Sequence, residues 1–237
     1  MIGALAFAPV AVITWRMQGA ALPYVAASSI LEGLYLLLLA TGYSVAAMGF
    51  VYPIARGSAP VLVLVVSVLA LGVSVSAFAV LGVVLVAVGI VLVRGLRSGG
   101  QGRDLALALG VGAFIAAYTL VDKTGVTHAD PISYLELVFG LTACGYALGA
   151  WRARGWPALR ATIGIRTVLA GLGYFGAYLL VLAALRLAPA PSVAAVRECS
   201  VVIAAAALAI SGREHVSAER LAGAVAVVAG IALVSLG

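Results

Sequence analysis

Two arginines sit where charge is hardest to keep. Arg56 and Arg197 each lie inside an apolar run long enough to cross a bilayer, and the segments around them repeat at a constant offset of 141. Sliding residues 56–93 onto 197–234 without a gap gives 12 identities in 38 positions. Arg56 falls on Arg197, Val75-Ser76-Ala77 on Val216-Ser217-Ala218, Gly82 on Gly223, and Gly89-Ile90 on Gly230-Ile231. A background rich in Val, Ala and Leu produces chance matches, but it does not supply an aligned arginine pair and two aligned glycines. The chain reads as a duplicated membrane protein that holds one charge inside each half.

Composition fixes the solvent. With 237 residues, 65% hydrophobic, 9% charged and a mean hydropathy of +1.22, there is too little polar surface to coat a water-soluble globule. Only helices and closed barrels satisfy their backbone in hydrocarbon, and the apolar runs here are continuous rather than alternating, so the fold class is all-α. A net charge of +6 would suit nucleic acid, yet the basic residues fall in short linkers, where they orient a membrane protein instead. Cys144 and Cys199 lie in apolar segments and read as small buried hydrophobes. His128 and His215 lack a second ligand at metal spacing, so no metal and no cofactor are expected. No nucleophile is set beside a base, which argues against an enzyme.

Gly, Pro and Arg punctuation divides the chain into nine candidate spans: 2–14, 23–42, 45–71, 76–94, 104–122, 131–151, 164–185, 190–211 and 218–236. Arg56 lies in the third and Arg197 in the eighth. The second half therefore has three spans before its arginine helix and the first half two. The first span is also shorter than the ~20 residues of a full crossing. A clipped chain, short of one helix at its front, is the expectation. The domains are then 1–96, a truncated first repeat of four helices, and 104–237, a second repeat of five, joined through the polar Arg94 to Arg103 linker with its Ser98-Gly99-Gly100. Nine of the 14 basic residues fall in linkers on one side, which puts the N-terminus in the cytoplasm and the C-terminus outside.

Chemistry concentrates in Tyr52-Pro53-Ile54-Ala55-Arg56-Gly57-Ser58-Ala59-Pro60. Pro60 offers no N–H to the carbonyl of Arg56, and Pro53 none to Gly49, so a broken helix with bare carbonyls and a guanidinium near mid-depth is expected. In the second half Glu198 follows Arg197 directly. Consecutive side chains diverge by about 100° around a helix, so each needs another partner. Glu32 and Glu136 are candidates for the arginines, either as neutralising ion pairs or, with Glu198, as proton-coupling groups. Tyr35 and Tyr178 hold similar places ahead of the two arginine helices. With Tyr52, Tyr118, Tyr134 and Tyr174 they would line a cavity. Trp15, Trp151 and Trp156 read as interface anchors, and Asp122, Lys123, His128 and Asp130 as a solvated loop. Gly82 with Gly89, and Gly171-Leu172-Gly173, read as surfaces for close helix packing.

The run Val51 to Pro60, the repeated Arg197-Glu198-Cys199-Ser200 and the closing Gly223 to Ile231 helix together resemble the EamA-domain branch of the drug/metabolite transporter superfamily, over nearly the whole chain. That resemblance implies ten helices in two inverted five-helix repeats, a central cavity, and movement of small metabolites such as amino acids across the cytoplasmic (inner) membrane. This chain differs in lacking the first helix, in carrying Gly72-Val73-Ser74 where an acidic-basic pair is usual, and in its charge-derived orientation. The expected function is a secondary transporter whose substrate-binding residues are Arg56, Arg197, Tyr52, Tyr35, Tyr178 and Tyr118, acting on an anionic or amino-acid-like solute by alternating access. The rival is an inactive or partner-dependent membrane subunit derived from such a transporter, which could form a homodimer or pair with a short separate protein.

Overall fold

Apolar runs without alternation satisfy their backbone internally, and the described residues follow that rule. The computed structural model describes residues 2–45, 48–94, 102–161, 163–200, 202–203 and 218–236. Among these the chain forms nine α-helices, one short 3₁₀ turn and no strand: α1 (Ile2–Ile13), α2 (Leu22–Val45), α3 (Met48–Leu69), α4 (Ala77–Arg94), α5 (Gly102–Gly125), α6 (Pro131–Ala161), α7 (Ile165–Leu187), α8 (Ala190–Arg197) and α9 (Ala218–Leu236). Four described segments are long and apolar enough to cross a membrane, Gly19–Gly42, Gly102–Gly125, Pro131–Ala153 and Ile165–Leu187. Shorter apolar helices accompany them. The Ser98-Gly99-Gly100 linker and the stretch Gly212-Arg213-Glu214-His215-Val216-Ser217 lie outside the described residues.

Helix ends follow from local chemistry. Ser76, in the repeated Val-Ser-Ala motif, caps α4 by accepting the Ala79 N–H on its Oγ at 3.0 Å. Gly72, at φ 64°, closes α3, with the Val73 N–H folding back to Ser67 O at 2.9 Å. Gly155, at φ 76°, bends α6, so the membrane-length part ends before the exposed Trp156.

Two expectations about helix continuity are reversed. The Pro53 to Pro60 stretch does not break its helix, because α3 runs from Met48 to Leu69. Each proline removes one ladder bond, yet the residues around it keep helical geometry. The discontinuity lies instead in the second half, where span 190–211 was expected to be unbroken. There α8 stops at Arg197 and the Glu198 N–H donates back to Ala195 O at 3.1 Å, a tightened turn, before residues 199 and 200 resume helix.

The chain divides into two compact units, each drawing on both ends of the sequence. The first comprises Met1–Leu34 and Val121–Leu187. Its core is aromatic: Phe7 stacks on Phe175 at 4.6 Å, and Phe139 meets Tyr174, Phe175 and Tyr178 at 5.2 to 5.7 Å between ring centroids. Gly3 permits the approach of α1 to α7, since a Cβ there would lie 2.6 Å from Gly171 O.

The second unit comprises Tyr35–Leu120 and Ala188–Gly237. Its centre is the crossing of α4 and α9. A Cβ on Gly82 would lie 2.6 Å from Gly230 O, and one on Gly89 would lie 2.7 Å from Gly223 O. These are the glycines that the repeat aligned, now in reciprocal contact: each meets the repeat counterpart of the other, in antiparallel order. Val86 packs on Gly230 as its repeat mate Val227 packs on Gly89. Val83, Val86, Ile90, Val227 and Val234 complete a buried cluster. Lipid tails are as apolar as valine, so backbone approach and dispersion, rather than exclusion of water, hold such a crossing together.

Candidate functional site

Within the second unit the helix interruption at Glu198 gathers the charges. Consecutive residues at the end of α8 send Arg197 and Glu198 in different directions, and each meets a different helix. Glu198 turns to α3, where its Oε2 lies 3.1 Å from Arg56 Nε. The side chains are 2% and 14% exposed, so this is a buried ion pair. The Arg56 N–H does not point along that line, and the pairing is ionic rather than an aligned hydrogen bond. Arg56 also donates from Nη2 to Ser200 Oγ at 3.3 Å. Arg197, half-buried, donates from Nη2 to Tyr118 Oη on α5 at 3.0 Å, with its guanidinium carbon 5.9 Å from that ring's centre. Tyr118 in turn meets Tyr35 edge to face at 5.8 Å.

Small residues permit this closeness. Gly112 on α5 lies against Ala55 and Ser58, so that a Cβ would come within 3.0 Å of Ala55 O, one residue from Arg56. Gly57 does the same toward α4, 3.2 Å from Ala87 O. The outcome is two guanidinium groups and one carboxylate held at a helix break, with two tyrosine rings beside them. Both arginines act electrostatically on Glu198.

Of the nine residues expected from sequence, five therefore belong to one cluster: Arg56, Arg197, Glu198, Tyr118 and Tyr35. Tyr52 lies on α3, but its side chain is outside the described atoms. Glu198, rather than Glu32 or Glu136, neutralises Arg56. Those two acids belong to the first unit. Glu32, 2% exposed, accepts a hydrogen bond from Tyr174 Oη at 3.1 Å, while Glu136 keeps Oε2 buried without a hydrogen-bond partner among the described residues. Cys144 is exposed, not buried, and Cys199 is intermediate, because in lipid an apolar residue gains nothing by turning inward.

Tyr178 also belongs to the first unit, where it serves a carboxylate that was expected to be a solvated loop residue. Asp122 is fully buried, because α5 continues to Gly125 rather than ending at 122. It accepts from Tyr178 Oη at 2.5 Å and from Tyr134 Oη at 2.9 Å. Gly125 leaves room for the Tyr134 ring. Lys123 donates to Leu185 O at 2.5 Å, satisfying a carbonyl in the last turn of α7, and Asp130 pairs with Arg186 at 3.3 Å. The clue available in sequence was the pair of tyrosines in apolar spans, since a buried hydroxyl seeks a partner. Tyr178→Phe and Tyr134→Phe should each lower stability by about 1.5–3 kcal/mol, the worth of a hydrogen bond to a charged group. Thermal unfolding in detergent checks this; two silent variants would contradict it.

Several helices long and apolar enough to cross a bilayer, with one buried ion pair among the described residues, define a multi-pass membrane protein. Residues 103–236, more than half of the chain, match the EamA-like transporter family, and the chain belongs to that family. It is thus a transporter-family protein rather than an enzyme. A solved crystal structure superposes on it with a TM-score of 0.76 at 17% identity, covering 99% of this chain and 84% of that one. At that identity the likeness concerns the fold. No curated protein matches the sequence.

Proposed function

We propose that the chain is a secondary transporter of small organic anions, with the solute's acidic group held beside Arg197 and the rings of Tyr118 and Tyr35. The observation that carries this reading is the gathering of two guanidinium groups at one helix break. Two arginines face one carboxylate at the helix break, and Glu198 pairs with Arg56. A guanidinium inside an apolar span is retained only at a cost of about 2.5–3.5 kcal/mol. A solute's acidic group is a charge-assisted acceptor for guanidinium N–H groups. The interrupted helix supports the reading too, since broken helices with freed backbone groups form the sites of transporters built from repeats. We read the two halves as inverted repeats, a reading supported by the reciprocal glycine contacts of α4 and α9, with alternating access between two sides of the inner membrane.

Replacing Arg197 by alanine should weaken anion binding roughly 10- to 100-fold, the equivalent of one charge-assisted hydrogen bond. Titrating the purified protein with benzoate and benzenesulfonate by calorimetry provides the test. Equal affinity in wild type and Arg197→Ala would remove Arg197 from recognition.

A further inference from the structure

The segment that joins α6 to α7 concentrates positive charge. Residues 150–166 hold four arginines and two tryptophans, and the sequence has no Asp or Glu anywhere between Glu136 and Glu198. Its place in the fold is fixed by the helices it joins. The membrane-length part of α6 ends at Ala153 and α7, also of membrane length, begins at Ile165, so the junction lies at one edge of the hydrocarbon. Gly155, at φ 76°, turns the chain out of α6, and the Ile163 N–H folds back onto Arg160 O at 3.1 Å before α7 starts.

The opposite ends of the same two helices show a cation that the protein neutralises itself. There Arg186, in the last turn of α7, pairs with Asp130, just ahead of α6, at 3.3 Å. At the junction Arg152, Arg160 and Arg166 are exposed, and among the described residues none of the three forms an ion pair. We infer that the α6–α7 junction is a binding surface for anionic phospholipid, its arginines holding headgroup phosphates and its tryptophans setting them at headgroup depth. Trp151 and Trp156 are exposed on either side of the bend at Gly155. Indoles at the end of a membrane-length helix belong at the lipid interface, where the ring meets acyl chain and the N–H meets water. A guanidinium carried at that depth meets phosphate oxygens, which its planar fork of N–H donors matches two at a time. Ile163 and Ile165, exposed as well, extend the apolar contact. A water-soluble acidic partner would use only the charged half of this surface, whereas a phospholipid uses both halves.

Fluorescence quenching in phosphatidylcholine vesicles tests this. Trp15, the third tryptophan, lies at the opposite ends of α6 and α7, since the neighbouring Arg16 carbonyl accepts the Asp130 N–H at 2.8 Å. A full chain carrying Trp15→Phe, with its arginines intact, therefore reports on the junction, and one carrying Trp151→Phe and Trp156→Phe reports on the other end. When a minor fraction of the lipid is brominated on its acyl chains, phosphatidylglycerol should quench the junction tryptophans as though enriched over phosphatidylcholine. The enrichment at low salt should be roughly fivefold for each arginine engaged, the worth of one basic residue at an anionic surface. Trp15 should be quenched equally by the two lipids. Raising the salt to about 1 M should remove most of the enrichment, and so should Arg152→Gln combined with Arg160→Gln and Arg166→Gln. Equal quenching by the two lipids at the junction would overturn the inference, as would an enrichment that survives loss of the three arginines or that appears equally at Trp15. Relief of the quenching by excess glycerol phosphate would show a site for soluble phosphate and would overturn the lipid assignment.

Discussion

Arg56→Ala should destabilise the protein by about 3–5 kcal/mol, more than removal of any single hydroxyl named above, because it leaves Glu198 buried and uncompensated. The pair matters less for its own attraction than for what each member becomes alone. Glu198 is 2% exposed and cannot turn to water. Exchanging both members for uncharged residues of similar size, as in Arg56→Met with Glu198→Gln, should recover most of that loss, since a buried pair is often replaceable as a unit. Thermal unfolding in detergent of the two single variants and the double variant reads this as a double-mutant cycle. Strict additivity would mean that the two side chains do not depend on one another.

Comparable losses are expected at the α4 and α9 crossing. Even Gly82→Ala places a Cβ 2.6 Å from the Gly230 carbonyl, and Gly230→Ala places one 2.6 Å from the Gly82 carbonyl. Backbone cannot swing aside as a side chain can, so the helices must separate. The loss should reach or exceed the roughly 1–3 kcal/mol typical of overpacking. Because the contacts are reciprocal, Gly82→Ala and Gly230→Ala should cost similar amounts, and the pair together less than their sum. The control is Gly140→Ala, in a helix with nothing within 4 Å of the added carbon. It should be neutral or stabilise by about 0.5–1 kcal/mol. Equal melting temperatures for Gly82→Ala and Gly140→Ala would show that the crossing is not tight.

What could be read from sequence was whatever depends on periodicity and repetition. Apolar runs gave the helix order because hydrocarbon leaves the backbone few alternatives. The 141-residue offset singled out Arg56, Arg197 and the four glycines, and the structure joins those glycines in pairs. What escaped was partner choice across helices. Glu198 was visible, but its pairing with Arg56 depends on a helix break that nothing in Ala190 to Ser200 signals as strongly as Pro53 and Pro60 signalled one in α3. Two prolines left their helix unbroken, whereas a tightened turn at Glu198 redirected a carboxylate. Asp122 escaped for a related reason: beside Lys123 it resembles a loop, and only three further residues of helix and two distant tyrosines bury it.

The account depends on an acidic group being held at the helix break. A crystal structure with 4-iodobenzoate, its iodine located by anomalous scattering, tests that most directly. The carboxylate should lie within hydrogen-bond distance of Arg197, with the ring against Tyr118 and Tyr35. Iodine density only at other places, with Arg197 still donating to Tyr118 and Glu198 still on Arg56, would contradict it.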